Sequence, residues 1–233
     1  MNKEVELENY LSISPKKFGI YLFDKKNLKN LYKDELIVSE NFNSNNRNIL
    51  KKFLDQNIYK IEKLSGKFIE NIFIILENEQ IFELQMGIKK KNYNNFVTQE
   101  NLINSLQEAK DLIKESYQNE KILHMVVSKY FVNGKKYNLF EKNLASDYLA
   151  LEIKFKFISK PVINNLDTLL ENYQIKVSKY IDANYMKKLF GNNLELSEVA
   201  HRIVNGYNQN EVKLVQKNTK KLSFFEKFFQ LFS

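Results

Sequence analysis

The chain of 233 residues contains no cysteine and no tryptophan, and it has only two histidines, two prolines and six glycines. Without cysteine there are no disulfides, no thiolate nucleophile and no Cys-ligated metal. His124 and His201 are too few for an ordinary zinc or iron site, so we predict neither a metal nor a cofactor. Six glycines leave little material for the glycine-rich loops that hold phosphate in nucleotide-binding proteins.

Long apolar runs are also missing from the sequence. No stretch reaches the roughly 18 apolar residues that a transmembrane helix needs. Residues 1–10 carry acidic side chains and no apolar run, which is unlike a signal peptide. We therefore expect a cytoplasmic protein that contacts a membrane, if at all, from its inner face.

The charge of the chain is positive but mixed. The net charge of +8 results from 36 basic and 28 acidic residues that are spread along the sequence. This balance permits a nucleic-acid groove without indicating one, and anionic lipid headgroups would suit it equally well. Hydrophobic residues make up 43% of the chain, which predicts a globular protein with one large or two small domains.

The last twelve residues, LSFFEKFFQLFS (222–233), carry the strongest pattern in the chain. On a helix their apolar residues fill one half of the circumference, and Ser223 and Glu226 have the spacing of a capping box. Bulky aromatic residues beside a basic segment are typical of a helix that lies in a membrane interface. The alternative is a helix that packs on the core of its own domain. The predicted membrane-binding residues are Phe224, Phe225, Phe228, Phe229, Leu231 and Phe232, with Lys217, Lys220, Lys221 and Lys227 for anionic headgroups.

The periodicity of the remaining sequence predicts a mixture of strands and helices, with helices set between strands. The predicted strands are 11–13, 18–23, 36–42, 69–76, 80–86, 122–127 and 148–157, with a short one at 175–177. The predicted helices are 49–64, one that opens at Thr98, one that starts at Ser159 and Pro161, and 196–204. Asn133-Gly134 is a strong turn signal, and the pattern weakens from Tyr185 to Leu196.

Signals of enzyme chemistry are weak throughout. Ser65-Gly66-Lys67 lacks the upstream glycine of a phosphate loop and is better explained as a helix end. His124 lies within an apolar strand, where a structural imidazole is more common than a catalytic base. The Lys89-Lys90-Lys91 run would suit phosphate, but such charges are ordinary in a loop after a strand. We therefore predict that the protein is not an enzyme.

Three stretches nevertheless resemble a known family. They are LSGKFIENIFII (64–75), FVTQENL (96–102) and ILHMVVSKYFVNG (122–134). Their residues and their order along the chain are similar to those of the FtsA family, the bacterial cell-division homologues of actin. The tail is similar to that family's membrane-targeting helix. The resemblance covers roughly residues 10–180. It implies a truncated actin-like (ribonuclease H-like) subdomain of mixed α and β structure, with an inserted strand-helix-strand-strand subdomain and a C-terminal amphipathic helix.

The chain departs from the family at its first phosphate-binding turn. There the family has an aspartate and a glycine, and this chain has Ser12 and Ser14, followed by Pro15, which lacks a backbone donor. After Ile181 the family's second, glycine-rich phosphate loop is not found, nor is the lobe that binds the C-terminal peptide of FtsZ. The resemblance therefore implies a degenerate nucleotide site, and it leaves direct FtsZ binding in doubt.

These observations predict three regions. Residues 1–85, with part of 178–212, would form the actin-like remnant, 86–177 the inserted subdomain, and 213–233 the basic linker and membrane-targeting helix. The resemblance implies a non-enzymatic scaffold at the division site, which recruits FtsZ, later division proteins or another copy of itself, without nucleic acid. Two alternatives stay open, namely a polymerising actin-like ATPase and a basic nucleic-acid-binding protein.

Overall fold

The computed structural model describes residues 6–38, 46–141, 144–191 and 193–214. The chain folds into two compact units. Unit 1 comprises Met1–Phe82 and Ile158–Asn205, and unit 2 comprises Glu83–Phe157 with the segment that begins at Gly206. The predicted boundaries at residues 85 and 177 stay predictions, and the changes of unit lie at Phe82/Glu83 and Phe157/Ile158.

Within the described ranges the chain forms nine strands and five α-helices. In chain order they are β1 (Leu7–Ser14), β2 (Lys17–Asp24), β3 (Lys29–Ile37), α1 (Asn46–Ser65), β4 (Asn71–Leu76), β5 (Phe82–Phe96), α2 (Gln99–Ser116), β6 (Glu120–Val132), β7 (Lys135–Tyr137), β8 (Ala145–Ser159), α3 (Lys160–Glu171), β9 (Lys176–Asp182), α4 (Ala183–Phe190) and α5 (Leu196–Val204). No helix among the described residues is long and apolar enough to cross a membrane.

Unit 1 is built on a five-stranded sheet in the order β3-β2-β1-β4-β9. The strands β1, β2 and β3 are antiparallel neighbours, whereas β4 runs parallel to β1 and β9 parallel to β4. Both faces of β2 are buried because helices cover them. Phe18 packs against Phe53 of α1, and Phe23, on the other face, lies against the ring of His201 in α5. This explains why β2 is a nearly continuous apolar run.

Unit 2 contains a four-stranded sheet in the order β5-β8-β6-β7, with α2 packed on its core. Thr98 caps α2, since its hydroxyl accepts a hydrogen bond from the backbone N–H of Asn101, and the Asn101 side chain accepts one from the Thr98 N–H. The β6–β7 turn at Asn133-Gly134 has positive φ at both residues, as a tight hairpin of this composition requires. Along β8 the odd-numbered residues 149–157 are buried, as the alternation predicted.

The structure differs from the sequence-based prediction at β3 and α4. The third strand was predicted at 36–42, of which 39–42 lie outside the described residues, whereas the structure has β3 at Lys29–Ile37, with none of its residues fully buried. As an edge strand it carries little of the apolar alternation on which the prediction relied. Helix α4, in the stretch where the pattern weakened, was not predicted. Its N-cap is Asp182, whose carboxylate accepts hydrogen bonds from the N–H groups of Asn184 and Tyr185.

Candidate functional site

The turn between β1 and β2 contains the predicted remnant of a phosphate site. Ser14 and Lys17 form the last pair of the ladder, so Pro15 and Lys16 make the turn. The Ser14 hydroxyl donates to the Lys17 carbonyl oxygen at 3.0 Å, and the Lys16 carbonyl accepts from the Val38 N–H at 2.8 Å. A phosphate cradle needs several backbone N–H groups that converge on the anion. Here Pro15 has no N–H, and the Ser14 hydroxyl is used within the turn.

Ser12, at the position of the family's aspartate, packs inside the sheet. It is only 8% exposed, and its Oγ lies 3.4 Å from Tyr21 Oη and donates to the Gly19 carbonyl at 3.5 Å. Gly19 is the cross-strand partner of Ser12. A Cβ at Gly19 would lie 2.6 Å from Ser12 Oγ and 2.4 Å from Tyr21 Oη. The side chain at position 12 is therefore enclosed by protein atoms and directed into the sheet.

A charged network extends from Tyr21 across β2 and β3. The Tyr21 hydroxyl donates to Glu35 at 2.9 Å, and Lys17 Nζ lies 2.8 Å from the same carboxylate. Burial raises the pKa of Tyr21 well above its usual range, so its hydroxyl stays a donor. Burial also raises the pKa of Glu35, but hydrogen bonds from Lys17 and Tyr21 outweigh it and hold that pKa below 4.5. The network thus stabilises the sheet by its internal contacts.

A cavity of about 560 Å³ lies beside this turn within unit 1. It adjoins the carboxyl ends of the parallel strands β1 and β4, where ligands commonly bind in α/β sheets. Its apolar wall is formed by Ile13, Leu50, Leu76, Val162, Leu166 and Leu169. The polar wall includes Glu77 and Glu79 beside Arg47, and Glu77 pairs with Lys187 at 3.0 Å. The polar wall therefore carries both signs of charge, because Arg47 accompanies the two glutamates and Lys187 pairs with Glu77.

A second notable arrangement is found in unit 2, where the chain approaches its tail. We call residues Asn208–Leu214 the tail root. Its backbone is added antiparallel to β6, since the Val127 N–H donates to the Asn210 carbonyl at 2.9 Å and the Val212 N–H donates to the Met125 carbonyl at 2.8 Å. Val212 and Leu214 pack against the core of unit 2. The tail root is therefore part of the folded body of this unit.

Side chains reinforce this attachment. His124 is 1% exposed, and its Nδ1 lies 2.9 Å from the Glu211 carboxylate, which agrees with the structural role predicted for this imidazole. Asn210 accepts a hydrogen bond from the Tyr130 hydroxyl at 3.2 Å and donates to the Asn138 carbonyl at 2.9 Å. Burial raises the pKa of Tyr130 to about 12, so the phenol remains a donor at neutral pH. Backbone and side-chain bonds together hold the tail root on β6.

The described residues include some of the predicted site residues but not all of them. Ser12 and Ser14 lie in β1 and Pro15 lies in the turn that follows it, and their assignment as a degenerate phosphate turn stays a prediction. The predicted membrane-binding residues, 217–232, lie outside the described residues and stay predictions. The Lys89-Lys90-Lys91 run belongs to β5 and not to a loop. Lys89 lies over the Tyr148 ring at 4.2 Å and Lys90 pairs with Glu108, so these cations have partners within the protein.

Sequence reasoning did not find the tail root. The pairs that make it, Glu211 with His124 and Asn210 with Tyr130, are separated by 87 and 80 residues. Asn208 and Asn210 are typical loop residues by composition. Only the apolar pair Val212 and Leu214, spaced by two, hints at a short strand. The periodicity of a segment does not show which strand lies beside it, so it could not place this pair next to β6.

Among the described residues, no group of three His, Asp or Glu side chains is arranged to hold a metal ion. Comparison with known proteins found no matching family model and no matching curated protein. Solved structures do match. The structure of the PilM-PilN type IV pilus biogenesis complex aligns with 80% of this chain and 50% of that chain, at 8% identity and a TM-score of 0.50.

Two further structures align less well. The cytoplasmic domain of EpsL, an inner membrane component of the type II secretion system of Vibrio cholerae, matches at 7% identity, covers 76% and 56% of the two chains, and has a TM-score of 0.35. A Bacteroides thetaiotaomicron protein with actin-like ATPase fold and unknown function matches at 10% identity, covers 80% and 56%, and has a TM-score of 0.33. Their low scores carry no argument of their own.

The chain thus spans about half the length of the structures that it matches. At these identities the likeness concerns the fold, and it does not distinguish the FtsA family from other actin-like proteins. The predicted fold class is confirmed for the described residues: the chain has an actin-like fold of mixed α and β structure, shortened relative to the matched structures.

Proposed function

We propose that this protein is a non-enzymatic adaptor on the inner face of the cytoplasmic membrane. In this proposal the helix at 222–233 attaches to the membrane, and unit 2 presents a surface to partner proteins. The observation that carries the proposal is the docking of the tail root on β6. Because Leu214 packs on the core of unit 2, an anchor that begins at Leu222 is covalently tied to a folded body within less than about 30 Å.

The predicted anchor has enough apolar surface for the task. Burial of one phenylalanine side chain is worth about 2 kcal/mol, and the apolar half of 222–233 contains five of them. Each lysine near an anionic surface adds about 1 kcal/mol. These contributions predict stable but reversible attachment, which is typical of a peripheral protein.

The degenerate turn supports the non-enzymatic part of the proposal. An ATPase of this fold class would need backbone donors and a metal-directed carboxylate at the β1–β2 turn. Instead, Pro15 lacks the donor, and Ser12 is enclosed between Gly19 and Tyr21.

The more specific part of the proposal is a role in cell division, which rests on the resemblance to FtsA. The partners would be FtsZ, later division proteins or a second copy of the chain. The matched PilM-PilN structure is that of a type IV pilus biogenesis complex, so a protein of similar fold takes part in a protein assembly. We extend that role to unit 2 of this chain as a recruitment surface.

Co-sedimentation with lipid vesicles tests the attachment. The full chain is mixed with vesicles of phosphatidylglycerol and phosphatidylcholine, beside the double variant Phe228→Asp/Phe232→Asp. The matched control, Ser223→Asp/Gln230→Asp, adds the same charge to the polar half of the same helix. We expect the phenylalanine variant to bind at least about a hundredfold more weakly, and the control to bind like the natural chain. Equal binding of both double variants would refute the proposal.

Localisation in cells tests the proposed role in division separately from membrane attachment. A fluorescent fusion to the N-terminus of the full chain should form a band at mid-cell in dividing bacteria. Uniform labelling of the membrane would reject the role in division while leaving membrane attachment intact. Affinity for DNA that falls steeply with salt and survives the Phe228→Asp/Phe232→Asp changes would favour the nucleic-acid alternative instead.

A further inference from the structure

The outer face of α1 in unit 1 carries a stripe of exposed residues that the proposed anchor does not explain. Ile49, Lys52, Gln56, Tyr59 and Lys63 recur at spacings of three and four, so they form one line along the helix. All five are exposed, as is the flanking Lys60. We call these six residues the α1 stripe. The opposite side of α1 is buried in the core, so this face is determined by the fold.

The α1 stripe has only positive charge. The two acidic residues of the helix lie on its flank and are engaged elsewhere. Asp55 accepts a hydrogen bond from the Tyr173 hydroxyl at 2.6 Å, and Glu62 accepts one from the Ile69 N–H at 3.1 Å. Elsewhere in unit 1, lysines pair with carboxylates, as Lys17 does with Glu35 and Lys187 with Glu77. For the three lysines of the stripe, no acidic partner is found among the described residues.

Exposed aromatic and apolar side chains accompany the lysines of the α1 stripe. Tyr59, in the middle of the stripe, is 69% exposed. Phe68, which follows the C-terminal end of α1, is 85% exposed, and Leu64 on the last turn is 55% exposed. Tyrosine rings and lysine side chains are both suited to the headgroup region, where an apolar stem meets a polar end. An exposed phenylalanine at the end of such a face can enter the acyl boundary.

We propose that the α1 stripe, with Leu64 and Phe68, is a second membrane-contact surface that recognises anionic phospholipid headgroups. The exposed apolar side chains of Leu64 and Phe68 beside these lysines favour a lipid surface over nucleic acid, because a phosphate backbone offers no acyl layer in which they could be buried. The stripe uses lysine and tyrosine without arginine, whereas planar recognition of single phosphates favours arginine. This inference rests on the proposed function, since a weak surface of this kind acts only when the tail has brought the chain to the membrane.

The absence of tryptophan from the chain allows a direct test. Single tryptophans are introduced into the full chain as Tyr59→Trp, Phe228→Trp and Tyr93→Trp, the last at an exposed tyrosine of unit 2. Each variant is mixed with phosphatidylglycerol vesicles that contain brominated lipid, which quenches a tryptophan at the bilayer surface. We expect quenching at positions 228 and 59 and little at position 93. Quenching at 228 alone, or equal quenching at 59 and 93, would overturn the inference.

Charge reversal provides the second measurement. The variant Lys52→Glu/Lys60→Glu/Lys63→Glu is compared with Lys26→Glu/Lys176→Glu/Lys188→Glu, which changes three exposed lysines elsewhere in unit 1 by the same total charge. The stripe variant should bind anionic vesicles at least about tenfold more weakly than the control variant, and both should unfold at the same urea concentration. Equal binding would overturn the inference. So would a loss of DNA binding with unchanged vesicle binding, which would identify a nucleic-acid surface.

The two proposals fail in different ways. If Phe228→Trp is not quenched and the natural chain does not pellet with vesicles, the proposed function fails, and this inference fails with it. If Phe228→Trp is quenched and Tyr59→Trp is not, the tail anchors the protein and only the second surface is rejected.

Discussion

At the scale of single residues, Gly19 determines the packing beside the β1–β2 turn. A Cβ at this position would meet Tyr21 Oη at 2.4 Å and Ser12 Oγ at 2.6 Å, and both side chains are buried. We expect Gly19→Ala to lower the free energy of unfolding by about 1–3 kcal/mol, because the Tyr21 ring must shift within a packed sheet. Urea denaturation followed by circular dichroism measures the change.

Gly87 provides the matched control for that prediction. It also lies in a strand, but a Cβ there would have no atom within 4 Å. Gly87→Ala should therefore be neutral or stabilise by up to about 1 kcal/mol. Adding Tyr21→Phe to Gly19→Ala removes the closest oxygen and should recover part of the loss. If Gly19→Ala is as harmless as Gly87→Ala, the packing argument at Ser12 is wrong.

Glu35 makes part of the stability dependent on pH. Burial raises its pKa, but the bonds from Lys17 and Tyr21 outweigh burial, so the folded pKa lies below the ordinary 4.5. The stabilisation is therefore complete above about pH 4.5 and is lost as pH falls through the lower folded pKa. We expect Glu35→Gln to cost about 1 kcal/mol at neutral pH and progressively less on acidification. Urea denaturation at a series of pH values measures this difference.

The control for Glu35 is the same substitution at Glu171, an exposed residue at the end of α3. It removes a carboxylate of unit 1 that has no comparable network, so its effect should stay small at every pH. A constant penalty for Glu35→Gln from neutral to acid pH would contradict the linkage. It would indicate that the substitution acts through packing alone.

At the scale of elements, prediction from sequence succeeded where the residues of an element themselves determine its ends. Helix α5 begins and ends where its apolar spacing indicated, and Thr98 caps α2. The edge strand β3 was misplaced because it buries none of its residues fully. Helix α4 has eight residues and depends on the Asp182 cap, so it offers too few turns for a periodic signal. Short or exposed elements of this kind form because of tertiary contacts, and a local sequence pattern does not show such contacts.

The tail root is an element that side chains hold in place, so it should be sensitive to one substitution. Asn210 joins Tyr130 to Asn138 through its two amide atoms. We expect Asn210→Ala to weaken the local structure by about 1–3 kcal/mol, since both partners lose a hydrogen bond. Amide hydrogen exchange at Val127 and Val212, whose N–H groups make the backbone bonds to and from this segment, should become faster by about tenfold or more.

Gln209 is the control for this prediction, because it is the exposed neighbour of Asn210. Gln209→Ala should leave exchange at Val127 and Val212 unchanged. Exchange at Ile74, in the sheet of unit 1, should be the same in all three proteins. Unchanged exchange in Asn210→Ala would mean that the backbone pairing with β6 holds the tail root without its side chains.

At the scale of the whole molecule, the mixed order of strands and helices was predictable, but the assembly of the sheets was not. Unit 1 combines β1–β4 with β9, which is separated from β4 by about a hundred residues of sequence. Periodicity tells which face of a strand is buried and not which strand is its neighbour. The position of Ser12 shows the same limit. Its identity was readable from the sequence, but its enclosure depends on the register of β1 against β2.

The loss of nucleotide binding is a prediction about the molecule as a whole. Two features oppose ATP: Pro15 removes a backbone donor, and Ser12 is enclosed by Gly19 and Tyr21. Isothermal titration of the full chain with millimolar Mg-ATP should give no saturable heat. Saturable binding to the natural chain would instead favour the actin-like ATPase alternative and remove the non-enzymatic part of the proposal.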